Sequence, residues 1–418
     1  MLTSYLATPE DLIARLDALA SFTGPGPGCT RLVYDEHWCD AHRWLRREAE
    51  SLGLAATCDA IGNLFVHDPA VLPGSEVILV GSHLDTVLNG GRYDGPYGAL
   101  AAFQLAAELR GLARPVVAFV TCEEEGSRFP AALTGVRGVL GQLIPSQIAE
   151  LTDADGVRWS DALAFARERG CTAAAVAQGE RVPVLFRAWR QLELHIEQGP
   201  VLEGSSEKLG IVDRIAGYCR MQATLTGAAR HAGTTPMDRR HDALACAAEV
   251  VIAAEALALE MGAPAVCTAG FVRVEPGLYN VVPGRCTLGL EARHTEPAAF
   301  ARLCKGLEDG VRAVAARRGI TLTLETRSAE PPTALDDALA ADADALAQSL
   351  GIPHRRMPSG AGHDTMAFAQ AGVPAMMLFV PSRGGISHSP DEHTAPKDLW
   401  TGVAFARELL RRWASEGT

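Results

Sequence analysis

The chain has 418 residues, of which 48% are apolar and 21% charged. That is enough apolar material for a large core; it excludes wholesale disorder and points to two domains rather than one. Its 38 basic residues stand against 50 acidic ones, a formal net charge of -12, and no Lys/Arg-rich run offers a nucleic-acid partner an electrostatic footprint.

The N-terminal stretch MLTSYLATPEDLIARLDALA lacks a basic region followed by an apolar one, so no secretory signal is expected. After its acidic start, Leu12, Ile13, Leu16 and Leu19 recur at helical spacing, predicting a helix over Pro9–Ala20. A Gly/Pro-rich loop at 24–28 precedes a second helix, His37–Leu52. Val77–Val80 and Val116–Val120 are short continuous apolar runs separated by the Ala/Leu-rich stretch Ala99–Leu109. Strand, helix, strand is the pattern of a parallel sheet in an α/β domain. Leu192–Ile196 and Ala375–Val380 read as further strands of the same kind.

Between Asp213 and Arg327 the texture changes. Alternating runs (Tyr218–Thr226, Thr268–Val274, Cys286–Arg293, and a last one near Thr321–Glu325) flank the Ala-rich helical stretches Ala243–Met261 and Pro297–Arg318. This order predicts a small α+β, ferredoxin-like domain at 213–327, inserted into a larger domain formed by 1–212 and 328–418. The ten cysteines show no CxxC and no paired spacing, which predicts reduced thiols in a cytoplasmic protein. No run approaches the ~18 apolar residues of a membrane span.

The residues suited to chemistry stand directly after the apolar runs. Val77–Val80 leads into GSHLDT, with His83 and Asp85; Val116–Val120 into TCEEEG, with Glu124 and Glu125; Leu192–Leu194 into HIEQG, with His195 and Gln198; Ala375–Val380 into PSRGGISHS, with His388. Parallel sheets bind ligands at the carboxyl ends of their strands, so distant stretches offer imidazoles and carboxylates at one edge. Asp94 stands in a loop, GGRYDG, ahead of the Ala99–Leu109 stretch. Imidazole plus carboxylate is the ligand set of zinc or manganese, with cobalt and nickel also compatible. Asp85, two residues beyond His83, is placed to accept the other imidazole N–H and fix its tautomer.

GSHLDT, GGRYDG, EEEGSRF, HIEQGP, RHAGTTPMDRRHDA and GISHSPDE occur in that order. The chain thereby resembles the amidase, hydantoinase/carbamoylase family, which comprises N-carbamoyl-L-amino-acid hydrolases and allantoate amidohydrolases within a wider dinuclear metallopeptidase group. The resemblance implies a zinc-peptidase-like catalytic domain and an inserted lid and dimerisation domain. It implies one divalent ion held by His83, Asp94 and His195, and a second held by Asp94, Glu125 and His388. Glu124 would be the general base toward a water bridging the two ions, Asp85 would act behind His83, and His231 would donate to the oxyanion from the neighbouring subunit of a homodimer. Gln198, Asn280, Arg293 and the segment Gly360-Ala361-Gly362 match substrate-binding positions, and the Arg293 guanidinium suits the carboxylate of a ureido acid. His195 stands where peptidase relatives present a carboxylate, which favours a ureido acid over the alternative, an aminoacylase or dipeptidase. A non-catalytic binding protein would require a lost ligand or a lost Glu124, and none is missing. His363 and Asp364 are expected to serve structurally; His393 replaces an aromatic common in relatives.

Overall fold

The computed structural model describes residues 6–416, which form two compact units. The larger comprises the chain up to Asp213, Leu335–Met357 and the chain from His363 onward; the smaller comprises Arg214–Ala334 and Pro358–Gly362. The insert therefore ends later than the alternating pattern indicates, because its last strand continues to Glu330. It also takes in Gly360-Ala361-Gly362, which sequence order alone places with the larger domain.

In the larger unit the first helix, Pro9–Ala20, begins at a capping box in which the Thr8 side chain accepts from Asp11 N–H and the Asp11 carboxylate accepts from Thr8 N–H. The second helix runs Glu36–Ser51 behind the N-cap Asp35 and buries Trp38 and Leu45. The strands that carry the unit are β1 (Ala55–Cys58), β2 (Leu64–His67), β3 (Glu76–His83), β4 (Val116–Thr121), β5 (Arg187–Ile196), β6 (Leu209–Ile215) and β7 (Ala375–Val380). Their lateral order is β1-β2-β4-β3-β5-β7-β6.

β3 lies parallel to β4 and β5, and β7 parallel to β5; β1, β2 and β6 join antiparallel. The sheet is thus mostly parallel at its centre and antiparallel at its margins. Strands buried on both faces need apolar residues at every position; β4 and β7 are buried throughout. From β3 the chain goes to β4 on one side and β5 on the other, which makes the gap between the carboxyl ends of β3 and β5 a topological switch point. The Pro96–Glu108 helix packs so closely here that a Cβ on Gly98 would stand 2.2 Å from the Leu194 carbonyl oxygen on β5.

The smaller unit follows a β-α-β-β-α-β order. Its antiparallel sheet runs Thr321–Glu330, Gly217–Thr226, Arg285–His294, Val266–Glu275 across. Along Arg285–His294, Cys286, Leu288, Leu290 and Ala292 are buried in alternation, the period-2 signature of a sheet with one covered face. The covering helices are Ala243–Met261 and Pro297–Arg317, and they share one apolar core with the sheet. All ten cysteines are free thiols. Among the described residues no helix is long and apolar enough to cross a membrane.

Candidate metal centre

His83 closes β3 and His195 lies one residue before the end of β5, so the switch point brings the two imidazoles side by side, stacked with ring centroids 5.9 Å apart. Each uses Nδ1 on a main-chain carbonyl: His83 on Asp85 O at 3.0 Å, His195 on Ile196 O at 2.9 Å. With Nδ1 so occupied as the N–H, Nε2 of both rings presents a lone pair. Both Nε2 atoms face Asp94 Oδ1, at 3.4 Å and 3.0 Å.

The Asp94 loop reaches the pair through Gly95, whose φ of +81° and whose lack of a Cβ are both required; a Cβ there would stand 2.6 Å from the His83 ring. The other oxygen, Asp94 Oδ2, meets His388 Nε2 at 3.2 Å, and His388 Nε2 lies 3.5 Å from Glu125 Oε1. Ligand atoms therefore fall into two groups, His83/Asp94/His195 and Asp94/Glu125/His388, each within 4.8 Å and sharing Asp94. A third group, His83/Glu124/Glu125, sets Glu124 beside them.

Glu124 and Glu125 do not continue β4 as extended chain. Glu123 adopts a left-handed φ of 49°, and this turn directs the N–H groups of Glu124 and Glu125 at the Asp85 carboxylate, at 3.0 and 3.1 Å. The expected role of Asp85 is changed accordingly. Its main-chain carbonyl, not its carboxylate, meets His83 Nδ1, the nearer carboxylate oxygen being 3.8 Å away. His388 and Gln198 also hold left-handed φ values, 54° and 58°. Strain of this kind persists where the surroundings over-determine the backbone.

The electrostatics arise from burial and crowding. Burial acts to raise the Asp94 carboxyl, but His195, His388 and His83 outweigh it and hold it well below the usual carboxylate range. Burial lifts Glu124 well above that range, against His83 and with Glu125, Asp364 and Asp85 adding to it. Burial and Asp94 raise Glu125 to about 7. The hydrogen bond to Asp94 raises His388 to about 9.

The two imidazole lone pairs of His83 and His195, aimed at a carboxylate oxygen, suit a divalent cation better than they suit that oxygen. His195 Nε2 is buried with no hydrogen bond, the state expected of a ligand nitrogen. The donor set of these groups therefore fits divalent cations.

Gln198 differs from its expected use. Its Nε2 donates to Asp94 Oδ2 at 2.8 Å and to Ser387 Oγ at 3.1 Å, so in this conformation it braces the shared carboxylate. His363 packs edge-on against His195 at 4.5 Å. Asp364 accepts from the Thr121 hydroxyl. Neither joins the two groups that share Asp94, although His363 lies with Glu193 and His195 in a further one. The Glu193 carboxylate there is already bonded by Ser82 Oγ and by Thr365 N–H and Oγ. His393 packs edge-on against Tyr93.

The remaining expected site residues belong to the smaller unit. His231 and Asn280 lie together, the Arg230–His231 strand pairing with Val281–Val282 and Ala232 N–H donating to Asn280 O. His231 is exposed, and its Nδ1 accepts from Gly233 and Thr234 N–H. Arg293 Nε donates to Glu291 at 2.6 Å and Nη1 to Gly360 O at 3.1 Å, which brings the guanidinium to the Gly360-Ala361-Gly362 segment.

A mostly parallel sheet with a histidine–carboxylate cluster at its switch point defines a metallohydrolase-type site. The model of peptidase family M20/M25/M40 matches residues 79–412. The allantoate amidohydrolase of Escherichia coli (strain K12) is 35% identical over 99% of both chains. The N-carbamoyl-L-amino acid amidohydrolase of Geobacillus stearothermophilus is 34% identical, over 91% of this chain and 92% of that one. A crystal structure of an amidase of the hydantoinase/carbamoylase family from Burkholderia vietnamiensis superposes with a TM-score of 0.85 at 32% identity, over 98% of both chains. The chain belongs to peptidase family M20/M25/M40, in its hydantoinase/carbamoylase branch. Membership makes it an enzyme that hydrolyses amide bonds.

Proposed function

We propose that this enzyme hydrolyses the linear ureido C–N bond of an N-carbamoyl-L-amino acid or of allantoate. The observation that carries the proposal is the pair of ligand groups sharing Asp94 with Glu124 beside them. His83, Asp94 and His195 would hold one divalent ion and Asp94, Glu125 and His388 the other, zinc or manganese by ligand type, with cobalt or nickel also accommodated. Such ions supply Lewis acidity, lowering the pKa of water and polarising a carbonyl oxygen.

The chain's own groups do the rest. Glu124, raised by burial, takes the proton of the attacking water and hands it to the leaving nitrogen as the C–N bond breaks. Asp85 holds the Glu124 and Glu125 main chain in place. Arg293, with Asn280 and the Gly360-Ala361-Gly362 segment, receives the substrate carboxylate, and Gln198 turns from Asp94 to the ureido group.

The smaller unit, ferredoxin-like in its strand order, serves as lid and dimerisation domain. Ile252 and Leu259 on its Ala243–Met261 helix and Val266, Phe271 and Val272 on its edge strand are exposed, which supports a partner subunit covering them. His231, also exposed, then reaches the neighbouring subunit's substrate as oxyanion donor. Free thiols throughout favour a cytoplasmic enzyme.

The test is turnover on allantoate, N-carbamoyl-L- and D-amino acids, N-acetyl amino acids and dipeptides, after chelation and separate add-back of each metal. Turnover confined to ureido acids and restored by metal supports the proposal; preference for acetylated or peptide substrates, or full activity in stripped protein, overturns it.

A further inference from the structure

We infer that Glu392 is a positioning residue for Asp94: its carboxylate pins the main chain of the Asp94 loop and so aims the carboxylate that the two cations share. The inference rests on the dinuclear reading of the site.

Asp94 lies in neither a helix nor a strand. Its neighbouring main-chain N–H groups therefore have no ladder to join, and buried donors need partners. Glu392, itself buried at 4% exposure, supplies them. Its Oε1 accepts from Tyr93 N–H at 2.9 Å and from Asp94 N–H at 3.2 Å. Its Oε2 accepts from Ser387 Oγ at 2.8 Å, and that same hydroxyl lies 3.3 Å from Asp94 Oδ2. Glu392 thus holds Asp94 through the backbone directly, and it takes the one proton of the Ser387 hydroxyl that stands beside the Asp94 carboxylate.

The loop is shaped to admit this grip. A Cβ on Gly91 would stand 2.0 Å from Glu392 Cδ and Oε1, so the second glycine of the loop leaves the space the carboxylate fills. The arrangement also repeats one seen across the site, where Asp85 accepts two consecutive N–H groups beneath Glu124 and Glu125. Each of the two loops that bring carboxylates to the cluster is pinned by a buried acid from elsewhere in the chain.

Both main-chain bonds end on one oxygen. A glutamine keeps that oxygen, and its amide can donate to Ser387 Oγ, releasing the hydroxyl proton toward Asp94. What matters is then the acceptor and not its charge.

The experiment measures Zn2+ affinity by competition with a chromophoric chelator, and the visible spectrum of the Co2+-loaded protein, for wild type, Glu392→Ala, Glu392→Gln and Gly91→Ala. Glu392→Ala is expected to weaken at least one Zn2+ equivalent by ~10- to 100-fold, the usual cost of removing a support behind a ligand, and to alter the Co2+ bands. Glu392→Gln should stay within about threefold of wild type with the same bands. Gly91→Ala, which leaves the carboxylate present but displaces it, should behave like Glu392→Ala, and it carries the comparison if Glu392→Ala does not fold. Wild-type affinity in Glu392→Ala or in Gly91→Ala overturns the inference, as does a Glu392→Gln protein as weak as Glu392→Ala. Failure of the wild type itself to bind Zn2+ overturns the dinuclear reading, and is read in a separate sample.

Discussion

Replacing Asp85 by alanine tests the claim that the Glu124–Glu125 turn is held from outside. The Asp85 carboxylate is 2% exposed and accepts two main-chain N–H bonds of 3.0 and 3.1 Å. Alanine leaves both donors without a protein partner, the Glu124 N–H buried and the Glu125 N–H partly so. Each orphaned group costs about 1–3 kcal/mol, so the variant should lose roughly 2–6 kcal/mol, divided between global stability and local opening of the turn. The lower figure, if spent wholly on mispositioning Glu124, corresponds to about a 30-fold fall in kcat/KM. Asparagine keeps one oxygen acceptor and should fall between wild type and alanine. The assay pairs urea unfolding of the metal-free proteins with kcat/KM of the metal-loaded ones. An alanine variant within twofold of wild type by kcat/KM, and equally resistant to urea, would refute the reasoning.

Three further outcomes are expected. Glu124→Gln should retain its metal, by elemental analysis, and lose about 10²- to 10⁴-fold in kcat, the range for a removed proton acceptor; unchanged turnover removes Glu124 as the base. His388 is raised to about 9, so it is protonated at pH 7 and must shed that proton to ligate. Metal uptake at pH 7 in weak buffer should therefore release protons, and affinity should strengthen as pH rises toward 9; a pH-independent uptake contradicts the ligand assignment. Gly98→Ala would put a Cβ 2.2 Å from the Leu194 carbonyl oxygen, and should cost about 1–3 kcal/mol by overpacking, read as a lower urea midpoint.

Much of this arrangement is written along the chain. β3, β4 and β7 carry continuous apolar runs because strands covered on both faces favour them, β5 sets Leu192, Leu194 and Ile196 between buried polar residues, and these strands lead to His83, the Glu123-Glu124-Glu125 triplet, the segment leading to His388 and His195. Strand and ligand are adjacent in sequence, so both are legible together. The smaller unit's Arg285–His294 strand is equally plain, since one covered face imposes a period of two. By contrast, β1 and β2 are only four residues long, too short for a period to emerge. That β6 joins β7 antiparallel depends on where the chain returns after the strand, which no local pattern encodes.

The supports of the site divide in the same way. The sequence by itself determined which residue types stand at the ends of the central strands, because burial and ligation each demand a narrow chemistry at a given position. Only the tertiary structure decided that Asp85 turns its carboxylate to main-chain N–H groups 39 and 40 residues away, that Gln198 braces Asp94, and that Glu392 reaches back 298 residues to the same loop. A main-chain N–H has no side-chain identity, so a partner that binds one leaves no complementary residue type in the sequence. The nearest sign is the double glycine before Asp94, and even that states only that something must fit close by.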